Sequence, residues 1–124
     1  MTHTPPFQLH LSPASPEDSE DIWRWRNDRD TIKNSNSPQA VPWESHSKWY
    51  NHMLQSEASE LLIGRVDHGE KVGMVRFDVD TQHQYLICSI NLNPAWRGKG
   101  LATGLLGAAI SQRQSNHHWP IYAE

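Results

Sequence analysis

The order of apolar and polar residues divides the chain into strand-like and helix-like stretches. Residues 7–11 alternate between apolar and polar side chains, which predicts a half-exposed first strand. A helix is predicted from Pro16 to about Arg26, because Ser15 suits the N-cap and proline suits the first helical position. Pro42 opens a second helical pattern. The apolar stripe of that second helix consists of His46, Trp49, Tyr50, Met53 and Leu54.

Three strand-like runs follow the two helices, at residues 61–66, 71–79 and 85–92. The short polar turns between them predict an antiparallel arrangement that starts with a hairpin. In the middle run, three apolar residues alternate with Met74, Arg76 and Asp78. One face of this strand is therefore predicted to be core and the other largely wet.

A third helix is predicted to begin at Leu101. One face of it carries Leu101, Leu105, Leu106, Ala109 and Ile110. Gly104 and Gly107 lie in its interior, where glycine is costly, and predict close packing of the helix on the sheet. The helix is long enough for a crossover to a parallel strand at residues 119–124. The predicted fold class is α/β (α+β), with a mixed central sheet in the order strand, two helices, three antiparallel strands, helix, strand.

The composition narrows the class of protein. With 124 residues, the chain is predicted to form one domain over residues 1–124. Its net charge of −3 gives no basic field for nucleic acid or an anionic membrane, and no apolar run is long enough to span a bilayer. The single cysteine, Cys88, fits a reducing compartment, so we expect a cytoplasmic protein. His117 and His118 have no third ligand at suitable spacing, so no metal site is expected.

The candidate chemistry lies where the third strand of the run gives way to the third helix. Gly98 and Gly100 stand at the predicted helix N-terminus, where unpaired backbone N–H groups and the helix dipole favour an anion. Arg97 and Lys99 add positive charge beside them. The spacing excludes a Walker loop, and Thr103 stands where a dinucleotide fingerprint needs its third glycine. We therefore expect a phosphate or pyrophosphate site of another kind.

Arg97, Gly100 and Ala102 form an R-x-x-G-x-A pattern directly after a strand that ends in Asn-Pro. This resembles the acyl-coenzyme A motif of the GNAT-superfamily N-acetyltransferases. The resemblance implies acetyl-CoA as co-substrate, with its pyrophosphate in the glycine loop and its pantetheine arm along the preceding strand. The cofactor-binding residues that it implies are Leu92, Asn93, Arg97, Gly98, Lys99, Gly100, Leu101 and Ala102.

A second group of residues narrows the resemblance. Residues 25–27 (Trp-Arg-Asn), Ser35, residues 44–46 (Glu-Ser-His) and Trp49 are similar to the GNAT subset that acetylates amino sugars attached to nucleotides, as in the pathways to nonulosonic acids such as pseudaminic acid. Relatives acting on protein N-terminal amines share part of this pattern. The resemblance implies a small-molecule amine as partner. Arg26 and Asn27 either hold the diphosphate or sugar of that acceptor or cap the first helix.

The implied chemistry is direct attack of the amine on the thioester. A backbone N–H near Leu92 or Asn93 is the candidate oxyanion donor. Many GNAT enzymes place a glutamate eleven residues before the motif, where this chain has Leu86. The candidate base is therefore His46, on the expectation that it faces the acceptor cleft; the alternative is a histidine packed under Trp49. His83, Asp78 and Glu124 are the other substitutes.

Two further expectations follow from the resemblance. A complete GNAT domain continues beyond the strand that ends near Glu124, so we expect either poor stability of the isolated chain or an intertwined homodimer. Because the strand glutamate is absent, a non-catalytic acyl-CoA-binding module is the alternative to an enzyme that acetylates an amino-sugar nucleotide, a protein N-terminus or a ribosomal protein.

Overall fold

A computed structural model describes residues 8–33, 39–66, 69–97, 100–114 and 121–123. Within these residues the chain forms one sheet in the spatial order β1-β2-β3-β4-β5. The strands are β1 His10–Pro13, β2 Ser59–Arg65, β3 Lys71–Asp80, β4 Tyr85–Leu92 and β5 Ile121–Ala123. β1 to β4 are antiparallel neighbours, and β5 runs parallel to β4. The predicted mixed sheet and its crossover are therefore confirmed.

Four α-helices connect the described strands. They are α1 Ser19–Arg26, α2 Arg29–Lys33, α3 Trp43–Gln55 and α4 Leu101–Gln114. Short 3-10 turns at Pro16–Asp18 and Pro94–Trp96 precede α1 and α4. The start of the first helical segment is as predicted, since the Ser15 N–H donates to the carboxylate of Asp18 at 2.9 Å. β1 lies further along the chain than residues 7–11, and residue 7 falls outside the described residues.

The sheet is covered on both faces. On one face α1 and α3 enclose a core of Ile22, Trp25, Tyr50, Leu61, Ile63 and Met74. On the other face α4 contributes Leu105 and Ala109 to a core that also contains Leu62, Val75, Phe77 and Cys88 of the sheet. The prediction of a wet face on β3 is wrong at Met74, which is 6% exposed, because α1 and α3 cover that half of the strand. Arg76 and Asp78, further along the same face, are half-buried.

Close packing of α4 depends on glycines in the sheet. A Cβ at Gly73 would lie 2.9 Å from a methyl group of Leu105, and one at Gly64 would overlap the same side chain. Gly104 and Gly107 are exposed, and a Cβ at Gly107 would have no described neighbour within 4 Å. The prediction that these helix glycines allow close packing is therefore wrong: the sheet supplies the space.

A buried charge ties the start of α1 to the sheet. Asp18 is 2% exposed, and its carboxylate forms an ion pair with Lys71 Nζ at 2.6 Å. Burial raises the pKa of Asp18, but the bonds from Lys71 and from the Ser15 N–H outweigh this and hold its pKa below the ordinary value. Lys71 also pairs with Asp21 at 2.8 Å, so the first residue of β3 holds both the 3-10 turn, through Asp18, and α1, through Asp21.

None of the described helices is long and apolar enough to cross a membrane. The cytoplasmic location and the homodimer stay predictions.

Candidate active site

One side of the second half of β4 is open in the described structure. Asn93 N–H donates to the Val72 carbonyl at 2.9 Å, which makes these two residues a hydrogen-bonded pair of the antiparallel ladder. Because bonded and non-bonded pairs alternate, the N–H groups of Ile90 and Leu92 point away from β3. The described register of β5 covers only residues 86–88 of β4. Two backbone donors therefore face the side of β4 along which β5 runs, and β5 is described only as far as Ala123. We call this side of residues 90–92 the open edge of β4 and the space beside it the gap.

The two backbone N–H groups predicted as oxyanion donors, those of Leu92 and Asn93, differ in their hydrogen bonding. The N–H of Asn93 is committed to Val72, so the prediction for that group is wrong. The Asn93 side chain is also engaged, accepting from the Ala95 N–H at 3.0 Å and donating to the Lys71 carbonyl at 2.9 Å. Asn93 therefore holds the turn before α4. The donor role of Leu92 stays a prediction, and its N–H faces the gap.

The open edge leads to the N-terminus of α4. Gly100 has φ +72°, a left-handed conformation that favours glycine, and a Cβ there would have no described atom within 4 Å. Leu101 begins α4 with its side chain buried against Val66 and Val72, and Ala102 is exposed. The first turn of the helix is thus fixed by the core, with space beside its backbone. Gly98 and Lys99 lie outside the described residues, so their predicted roles stay predictions.

Arg97 connects the glycine segment to the end of α1. Its NH1 lies 2.7 Å from the Asp28 carboxylate, and its NH2 donates to the Thr31 hydroxyl. Arg97 was predicted to supply mobile positive charge at the rim. In the structure the guanidinium is instead held between the segment before α4 and the segment that contains α2.

A pocket of about 140 Å³ lies beside β4, on the face covered by α1 and α3. We call it the β4 pocket. It is lined by Ile22, Arg26, Trp49, Met74, Arg76, Ser89, Ile90 and Asn91. The Cζ atoms of Arg26 and Arg76 lie 5.0 Å and 5.8 Å from the centre of the Trp49 ring. Ile90 lines the pocket and its N–H faces the gap, so this residue belongs to both features.

His46 does not face this pocket as predicted. It is fully buried, with Nε2 2.9 Å from the Ser19 carbonyl and Nδ1 3.3 Å from Arg26 NH1. A carbonyl only accepts, so Nε2 carries the proton and Nδ1 accepts from Arg26. Burial, together with the Arg26 charge, lowers the pKa of His46 despite the Ser19 bond. A neutral histidine with both nitrogens bonded and no exposed surface is not placed to take a proton from an acceptor.

Asn27 has a structural contact that engages both the nitrogen and the oxygen of its side-chain amide. Its Nδ2 donates to the Val41 carbonyl at 2.9 Å, and the Val41 N–H donates to its Oδ1 at 2.8 Å. This pair closes the long connection between α1 and α3. Arg26 lines the β4 pocket, whereas Asn27 does not. Of the two predicted acceptor residues, the structure brings only Arg26 to the site.

The other candidate bases lie elsewhere. His83 is exposed in the turn between β3 and β4, where it pairs with Asp80 at 3.0 Å. Asp78 accepts from the Ser59 hydroxyl at 2.8 Å and pairs with Arg76, and Glu124 lies outside the described residues. Among the described residues that line the β4 pocket, none is a carboxylate or a histidine.

Sequence reasoning missed Arg76 as a site residue. Its place on an alternating strand predicted a solvated side chain, and only the packing of α3 brings Trp49 over it. The strand pattern gave no signal of this cover, because alternation shows which residues share a face and not which helices lie over it.

The site thus combines two outward-facing N–H groups of β4, a left-handed glycine at the start of the crossover helix and a pocket beside the strand. The sequence profile of the acetyltransferase (GNAT) family matches residues 19–118, and the chain belongs to this family. It is therefore an acyl-CoA-dependent N-acetyltransferase whose acyl donor is acetyl-CoA. This confirms the predicted superfamily. A comparison with curated protein sequences gives no significant match.

The fold is shared with solved structures of low sequence identity. A spermidine N-acetyltransferase from Vibrio cholerae, in complex with CoA and spermine, aligns with a TM-score of 0.80 at 21% identity, over 94% of this chain and 70% of that one. A chimera of the Vibrio cholerae spermidine N-acetyltransferase SpeG and hSSAT aligns with a TM-score of 0.80 at 19% identity, over 94% and 69%. At this identity the similarity concerns the fold.

Proposed function

We propose that the chain transfers an acetyl group from acetyl-CoA to the primary amine of an amino-sugar nucleotide. The observation that carries this proposal is the position of the β4 pocket, whose lining includes Ile90, a residue of the strand edge where the thioester would lie. Its volume of about 140 Å³ is similar to that of a cavity that holds one six-membered ring. Trp49 lines the pocket beside two guanidinium groups, of which Arg26 offers a forked donor.

The proposed reaction is direct attack of the free amine on the thioester carbonyl. The N–H of Ile90 or Leu92 would donate to the carbonyl oxygen as it gains charge, and the thiolate of coenzyme A would leave. Because the described lining contains no carboxylate or histidine, the amine proton would pass to water. The diphosphate of the donor would lie against the first turn of α4, beside Gly100.

A thiol-release assay with acetyl-CoA tests this proposal. The panel contains an amino-sugar nucleotide, the same amino sugar without the nucleotide, spermidine and a peptide with a free N-terminus. We expect acetyl transfer to the amino-sugar nucleotide above the rate of acetyl-CoA hydrolysis, with the N-acetyl product identified by mass. Turnover of spermidine or the peptide without turnover of the amino sugars would contradict the proposed acceptor.

A further inference from the structure

We propose that Arg26 and Arg76 form an anion-binding subsite in the β4 pocket, so that the acceptor carries a phosphate or carboxylate group beside its amine. The identification of the bound molecule as the acceptor rests on the proposed acetyl transfer. The anion subsite itself is argued from contacts within the chain. It assigns a specificity role to Arg76, which the sequence analysis did not mark as a site residue.

The first step is the charge of the pocket. Arg26 has no carboxylate partner among the described residues; its guanidinium contacts the neutral His46 and the Trp49 ring. Burial lowers the pKa of Arg26, and the neighbouring charge of Arg76 lowers it further. Arg76 forms one ion pair, from its Nε to Asp78 at 2.9 Å, and Asp78 does not line the pocket. The described lining therefore has excess positive charge.

The second step is the fixed orientation of the two guanidinium groups. Both lie over the same indole, which lets each side chain keep its charge in a partly desolvated place. His46 accepts from NH1 of Arg26 and is itself anchored to the Ser19 carbonyl, so it acts as a positioning residue. Preorganised guanidinium donors of this kind match the oxygens of phosphate or carboxylate.

The third step is the relation to the reacting centre. Arg76 is the cross-strand partner of Ser89, one residue from Ile90, so the anion would lie on the strand beside the proposed thioester position. A polyamine, which carries positive charge along its length, would meet two guanidinium groups without a facing carboxylate in the described lining. This pocket therefore favours an anionic acceptor over a polyamine.

Binding of inorganic pyrophosphate to the full chain saturated with coenzyme A tests the subsite without catalysis, because coenzyme A already occupies the glycine loop. Isothermal titration should show binding that falls about tenfold or more in Arg26→Gln and Arg76→Gln, since one charge-assisted bond contributes about 1.5 kcal/mol. Arg24→Gln is the matched control, since Arg24 is on α1 with its side chain 67% exposed. Equal affinity in all four proteins, or no binding to the wild type, would overturn the subsite.

Kinetics with paired acceptors then distinguish phosphate from carboxylate. The pairs are glucosamine with glucosamine 6-phosphate, and an amino acid amide with the free amino acid. We expect the anionic member of at least one pair to have a kcat/KM at least about tenfold higher, and Arg76→Gln to remove that preference by raising KM. A preference for spermidine, or an anion preference that survives in Arg76→Gln, would overturn the inference. If no amine causes release of coenzyme A thiol from acetyl-CoA, the proposed acetyl transfer is refuted. The pyrophosphate titration then still decides whether the anion subsite exists.

Discussion

Nδ1 of His46 lies 3.3 Å from NH1 of Arg26, at the centre of the helical layer that covers one face of the sheet. The contact needs a neutral imidazole, because a protonated ring has no acceptor nitrogen to offer the guanidinium. It therefore links the charge state of a buried residue to the position of an arginine in the β4 pocket.

The first prediction concerns stability against pH. The pKa of His46 is lowered in the folded protein, so between that value and its unfolded value of 6.5 the unfolded chain binds more protons. The stabilisation that neutral His46 contributes is therefore fully present above about pH 6.5. It is lost as the pH falls from 6.5 towards the lowered pKa of the folded protein. Urea unfolding between pH 5 and 8 should show this slope. In His46→Asn the slope should shrink, while His52→Gln, an exposed change on the same helix, should keep it; an unchanged slope in His46→Asn would refute the assignment.

The second prediction concerns the buried ion pair at the start of α1. Lys71→Met leaves Asp18, which is 2% exposed, with Arg65 at 3.6 Å as its remaining cationic partner among the described residues, beside the bonds from Ser15. We expect a loss of about 3 kcal/mol in the free energy of unfolding, because one partner of a buried pair has been removed.

The control for this change is Arg24→Met, which removes an exposed pair with Glu20. It should cost less than about 0.5 kcal/mol. Denaturant midpoints compare the two variants directly, and similar losses in both would show that burial of Asp18 does not set the energy.

The third prediction concerns the glycine at the start of α4. Gly100→Asp should weaken binding of coenzyme A by about 100-fold or more, since a carboxylate would stand against the diphosphate. Gly69→Asp is the matched control, because Gly69 also has a positive φ, of 90°, and no described neighbour within 4 Å of a Cβ. Calorimetric titration checks both, and equal weakening in the two variants would assign the effect to backbone strain.

The fourth prediction concerns helix-to-sheet packing. Gly73→Ala should destabilise the protein by about 1–3 kcal/mol, because the new methyl group would lie 2.9 Å from Leu105 and 3.1 Å from the Asn91 carbonyl. Gly107→Ala should stabilise it by about 0.5–1 kcal/mol, as an exposed helix position with open space. Thermal unfolding of both variants tests the contrast, and the opposite order would contradict the packing described above.

The parts of the fold that follow from local patterns were predictable. The Ser15–Pro16 helix start, the hairpin of β2 and β3, and the crossover helix at Leu101 each depend on residues close together in sequence. The position of Gly100 at the start of α4 followed from the same local logic, and its positive φ fits the need for glycine there.

The parts that depend on which element covers which face were not predictable. Helical spacing placed His46 on the apolar stripe of α3. That position is equally compatible with a base in the acceptor cleft and with the buried partner of Arg26 that the structure shows. Alternation along β3 predicted a wet face at Arg76, since a strand pattern does not record the helices above it. For Asn27 the sequence favoured neither helix capping nor acceptor binding. Its bonds to the Val41 backbone join two ends of a long connection, and no local pattern predicts that contact.

A crystal structure of the full chain with acetyl-CoA tests the central claim most directly, since it locates both ends of the donor at once. We predict the diphosphate at the N-terminus of α4 beside Gly100, and the thioester carbonyl within hydrogen-bond distance of the Ile90 or Leu92 N–H, facing the β4 pocket. A donor bound elsewhere, with the open edge of β4 vacant, would contradict the account.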